Sequence, residues 1–111
     1  MSTSAALAER ILKHSGIDIM SLKNNNDMKE LYNAHDTFHV AVACAQKDRA
    51  SLIAKLSNKD DRKGIPKDND VCMGLLIDDY TEFICDHNNA LIGYVYPAIE
   101  ALKKKQNQRR F

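Results

Sequence analysis

At 111 residues the chain is long enough for one domain and too short for two independent cores. Hydrophobic residues make up 44% and charged residues 28%, which excludes a disordered chain, and a net charge of +1 excludes a whole-molecule attraction for nucleic acid or a lipid surface. With no Trp, three Phe and four Tyr the core is thin, so long helices are expected to share apolar surface with a partner or a second copy.

Four glycines and two prolines are too few to punctuate many short strands, and the β-branched residues do not alternate. An all-α fold is predicted. The first helix spans Ser4 to Ser15, with Leu7, Ile11 and Leu12 on one face and Gly16 closing it. A further turn over Ile17 to Leu22 supplies apolar plugs before Asn24, Asn25 and Asn26 break the pattern. The first long helix begins at Asp27, which with Glu30 forms a capping-box spacing. Its seam runs through Met28, Leu31, His35, Phe38, Val42, Ala45, Arg49, Leu52 and Leu56. The stretch Val40 to Ala45 is apolar all round and is expected to be covered from more than one side.

Asn58 to Asn69, containing Gly64 and Pro66, reads as a loop. The second long helix starts near Asp70, with Met73, Leu76, Tyr80, Phe83, His87, Ala90 and Tyr94 as its seam and Ile77, Ile84 and Leu91 beside it. Pro97 is expected to kink or break it, because its ring clashes with the carbonyl of Gly93, leaving a short last helix to about Lys105. The two long helices form an antiparallel hairpin that, with the short N-terminal helix, makes a three- to four-helix bundle. Facing residue numbers should sum to about 127, which sets Arg49 opposite Asp78 or Asp79 and His39 opposite His87.

Chemistry is sparse. His35 and His39, spaced i, i+4, with His87 brought over by the hairpin, form a candidate metal site. The competing reading makes them register-setting seam residues, and the Glu-x-x-His pairs of di-iron bundles are absent. Asp78, Asp79, Glu82 and Asp86 form an acidic face, but the first long helix lacks the matching Glu-x-x-Glu that helical nucleotide pyrophosphohydrolases use for metal. That face is better read as solvated and attractive to a basic partner. No nucleophile elbow or phosphate-binding glycine loop occurs, so neither an enzyme nor a cofactor is expected. Cys44, Cys72 and Cys85, among apolar neighbours, are expected as reduced core thiols.

From Ala101 to Phe111 the chain has five basic residues, Lys103, Lys104, Lys105, Arg109 and Arg110, and no acidic one, leaving 11 basic against 15 acidic in the first hundred. Residues 103–111 read as a basic tail free to fray, with nucleic acid as an alternative contact. No stretch approaches the roughly 18 apolar residues of a membrane span, and Met1 to Ala8 lacks the blocks of a secretory leader, so a cytoplasmic location is expected. The leading expectation is a non-enzymatic protein–protein interaction module, an adaptor, secretion chaperone, immunity protein or phage-type inhibitor, working on another protein or as a homodimer. Tyr94, Tyr96, Val95, Ile99 and Val40 are the expected contact residues, since Ala90 to Ile99 offers more apolar surface than one hairpin covers. A metal-binding bundle and a small nucleic-acid regulator are the alternatives.

Overall fold

In the computed structural model, which describes residues 4–57 and 68–108, every regular element is helical and no strand occurs among the described residues. Helix α1 spans Ser4–Ser15. It stops at Gly16, whose φ of 70° is the left-handed conformation that glycine adopts without steric cost, and whose N–H donates to the Leu12 carbonyl at 2.9 Å. A single 3₁₀ turn, Ile19–Ser21, follows, held by Asp18: its carboxylate accepts from the Met20 N–H and its carbonyl from the Ser21 hydroxyl.

Helix α2 spans Met28–Ser57. Asp27 caps it by accepting from the Lys29 N–H at 3.0 Å, but the expected reciprocal bond from Glu30 is replaced by a relay. Asn25 accepts the Asp27 N–H through its Oδ1 and donates its amide N–H to the Glu30 carboxylate, both at 2.7 Å. Asn25, the middle of the three asparagines before the helix, is therefore part of the cap, because its side chain offers a donor and an acceptor at once.

Helix α3 spans Asp68–Ala90 and runs into a π turn, Leu91–Val95, and then α4, Tyr96–Gln108. The predicted loop lies outside the described residues except for Asp68 and Asn69, which are already helical. Pro97 does not break the helix. The turn before it widens, so that the Tyr96 N–H reaches back to the Leu91 carbonyl, and the chain enters α4 with helical dihedrals. Widening relieves the crowding between the proline ring and the preceding turn without ending the helix. It also serves packing: His87, Leu91, Val95 and Ile99 are spaced by four and all buried. A regular α-helix would rotate such a series by about 40° per step, and the wider turn brings it back into line.

The core sits at one end of the molecule. Ala8 and Ile11 of α1, Ile19 and Leu22 at the 3₁₀ turn, Leu31, Ala34 and Phe38 of α2, and Ala90, Leu91, Val95, Ala98, Ile99 and Leu102 of the α3–α4 rod form one buried cluster. The seam predicted for α2 holds, with Leu31, Phe38, Val42 and Ala45 buried and the other five half-buried. Away from this end the hairpin continues alone. After Ala45 on α2, and from Val71 to Asp86 on α3, no described side chain is buried. The result is a rod of 69 × 26 × 20 Å whose radius of gyration, 18.5 Å, far exceeds the ~13 Å of a compact chain this long.

Two sequence expectations are corrected by this asymmetry. Val40 is 62% exposed and Ala43 and Cys44 are exposed, so the apolar run Val40 to Ala45 is covered on one side only. Cys44, Cys72 and Cys85 are free but exposed, so they are not core thiols.

Candidate functional site

The predicted histidine cluster divides into two groups. His35 and His39 stack at 4.3 Å on α2; the His35 Nδ1 lies 3.0 Å from the Asp36 carboxylate, and the His39 Nε2 lies 3.0 Å from the Tyr96 hydroxyl. His87 is elsewhere, buried on the inner side of α3, with both ring nitrogens occupied. Among the described residues no three His, Cys, Asp or Glu side chains are grouped to hold a metal ion. The hairpin sum that set His39 opposite His87 misses because Phe38, the preceding residue, is the one that meets the ring, edge-on at 5.5 Å.

His87 instead joins three helices. Its Nδ1–H donates to the Phe83 carbonyl at 2.8 Å; a carbonyl only accepts, so in the neutral ring Nε2 is the acceptor and takes the Ser15 hydroxyl proton at 2.7 Å. Four rings follow one another across the structure: His14 of α1 edge-on to Phe83 at 5.3 Å, Phe83 tilted against His87 at 4.0 Å, and His87 edge-on to Phe38. Beside them Arg10 grips Asp86 with both arms, Nε at 2.8 Å and Nη2 at 3.0 Å. The guanidinium is held above its ordinary pKa, chiefly by the hydrogen bond to Asp86; burial works against this, and the Asp86 and Glu82 charges add to the rise.

Burial holds the His87 imidazole below its ordinary value of 6.5; the charge of His14 adds to this, while the Phe83 carbonyl and Asp86 oppose it. The folded state therefore binds a proton less readily than the unfolded chain. Stability is complete above the unfolded value and declines as pH falls below about 6.5. The melting temperature is expected to be flat near neutrality and to drop as pH falls below about 6.5. His87→Gln should flatten that drop; an unchanged profile would place the proton elsewhere.

The expected contact residues are also redistributed. Val95 and Ile99 are buried in the core and are packing residues, and Tyr94 is half-buried against it. Their apolar surplus is absorbed within the fold, where α2 and the 3₁₀ turn pack against the π turn and α2 packs against α4. Tyr96 remains 40% exposed over the histidine pair, and Val40 faces outward. Lys103, Lys104 and Lys105 belong to α4, which continues to Gln108, so that part of the basic tail is helix; Arg109 and Arg110 lie outside the described residues. Arg49 donates from Nε to the Thr81 hydroxyl at 2.7 Å, not to Asp78 or Asp79, both of which are exposed. Thr81 in turn donates to the Ile77 carbonyl, so the pair clasps the hairpin through a hydrogen bond from a cation to a neutral hydroxyl.

What sequence reading missed is a groove on the other side of the hairpin. It encloses about 560 Å³ between α2 and α3, flanked by Arg10 and His14 of α1. Ala41, Cys44, Ala45, Leu76 and Phe83 give it apolar walls, and Asp48, Asp79, Glu82 and Asp86 give it carboxylates. A signal was present in the adjacent pair Leu75 and Leu76. Two consecutive helical residues point about 100° apart, so they cannot both face α2. Compared with known proteins, the chain matches no family model, no curated protein and no solved structure.

Proposed function

We propose that this chain is a non-enzymatic interaction module that works by docking its two-helix arm, the outer halves of α2 and α3, onto another protein. One observation carries the reading: among the described residues the arm has no buried side chain, yet Val71, Leu75 and Leu76 of α3 are 66%, 60% and 48% exposed and Ile53 of α2 is 37% exposed. A two-helix arm gains little from its own packing, because each helix can bury only the stripe that meets the other. Apolar side chains gathered on such an arm are supported better by contact with a partner than by any role in the free fold.

The test has two parts. Leu75→Glu/Leu76→Glu should leave the unfolding free energy within about 0.5 kcal/mol of the parent, as surface substitutions do. A photo-crosslinking side chain placed at Leu75 in native cells should give discrete protein adducts, whereas one at Lys23, on the opposite end, should give none. Loss of stability in the double variant together with an absence of adducts would end the interaction reading.

A further inference from the structure

Helix α1 shows what the α2–α3 groove accepts. It lies along α3 and is fastened there by a cation on a carboxylate, Arg10 on Asp86, next to a ring on a ring, His14 on Phe83. Beyond α1 the same groove continues with the same chemistry and no helix in it. Leu76 and Phe83 line one wall and Ala41, Cys44 and Ala45 the other, where small side chains let a helix backbone come close. Of the four carboxylates around it, Asp86 is engaged by Arg10, while Asp48, Asp79 and Glu82 are exposed. We propose that this groove docks an amphipathic, cationic helix of a partner protein, which places leucine-sized side chains between α2 and α3 and lysine or arginine against Asp48, Asp79 and Glu82.

Charge selects this occupant over the alternatives. Nucleic acid would bring phosphates against three exposed carboxylates. A second copy fits poorly for a different reason. Its cationic run, Lys103 to Lys105, lies on α4, whose Ala98, Ile99 and Leu102 are already buried in the core, so it brings charge without a free apolar stripe. Its exposed apolar stripe, Val71, Leu75 and Leu76, lies on α3 with Asp79 and Glu82, so it brings like charge. A separate protein supplies both features on one helix.

The inference rests on the interaction reading above, and its test is separate from that one. The probes are two synthetic peptides of about 15 residues, long enough to form a helix on binding. Both carry leucine at i, i+3, i+4 and i+7; one has lysine at the flanking positions and the other glutamate. Titrated into the full chain, the lysine peptide is expected to bind at least about tenfold more tightly, to weaken as salt is raised, and to shift the amide resonances of residues 41–48 and 76–86. Asp79→Lys/Glu82→Lys should reverse the preference toward the glutamate peptide. Asp48→Lys, on the opposite wall, should weaken lysine-peptide binding, and melting curves would establish that both variants fold. Equal binding of the two peptides, shifts confined to another surface, or a preference untouched by charge reversal would overturn the proposal. So would a dimer in solution that buries the groove. Crosslinked adducts at Leu75 without lysine-peptide binding would leave the interaction module standing and remove only this occupant.

Discussion

Phe38→Ala is expected to destabilise the protein by about 3–5 kcal/mol, the range for deleting a buried aromatic side chain. Phe38 is fully buried and belongs to the cluster that joins α1, α2 and the α3–α4 rod. Its ring also meets His87 edge-on, so its removal opens a cavity where three helices converge and leaves the ring ladder without its α2 end. Small domains have about 5–15 kcal/mol in total, and this core has few other large side chains to close the gap. Urea titration should show the midpoint lowered by a fifth of its value or more, on the order of 3–5 kcal/mol out of 5–15, with Val40→Ala, on the exposed side of the same helix, as the comparison within about 0.5 kcal/mol of the parent. A cost for Phe38→Ala below about 1 kcal/mol would mean that the helices do not depend on this junction.

The second large effect is expected at Ile11, where truncation to alanine should cost about 2–5 kcal/mol and act locally as well as globally. Ile11 is fully buried and, with Ala8, is how α1 enters the core. The remaining fastenings of α1 are weaker: Leu7 packs half-buried against the core, His14 meets Phe83 edge-on, Arg10 on Asp86 is partly exposed, and Ser15 on His87 is a single hydrogen bond. Such contacts depend on the helix already being held in place, because an exposed ion pair contributes little by itself. Hydrogen exchange should therefore accelerate along α1 and around His87 before it does in the middle of α2. Leu12→Ala, beside it but half-exposed, is the control. Uniform acceleration through the whole chain would indicate that α1 unfolds only together with the rest.

These expectations place the stability of the molecule at one end and its available apolar surface at the other. The ring ladder, the His87 node and the Arg10 clamp all lie where α1 crosses the hairpin. The arm carries the exposed leucines and the open groove, and its principal described cross-strut is Arg49 on Thr81. A module built this way can change its arm to suit a partner without disturbing its fold, since surface substitutions away from packed features cost little.

Much of the architecture was legible in the residues. The α2 seam, the glycine stop after α1, the cap at Asp27 and the antiparallel pairing all follow from periodicity and local hydrogen-bond chemistry, which act over three or four residues and leave a trace in sequence. Pro97 announced a disturbance, and the run His87, Leu91, Val95, Ile99, with its period of four, carried the hint that the helix widens instead of ending. The hairpin sum was right to within a turn. That margin was still enough to exchange Thr81 for Asp78 or Asp79 and Phe38 for His39, because one residue of slip rotates a helical side chain by about 100°.

What lay beyond reach was the placement of α1. Nothing local says that a twelve-residue helix settles against α3, buries Ala8 and Ile11 in the core, ties Arg10 to Asp86 and Ser15 to His87, and leaves the far half of the hairpin uncovered. Those contacts join positions more than seventy apart, and which of several apolar stripes a short helix covers is decided by competition among packings of the whole chain. Helix, cap and seam were therefore determined by the sequence itself. The split between a consolidated end and an open, acid-rimmed groove was decided only when the tertiary structure chose one stripe for α1 and left the other unfilled.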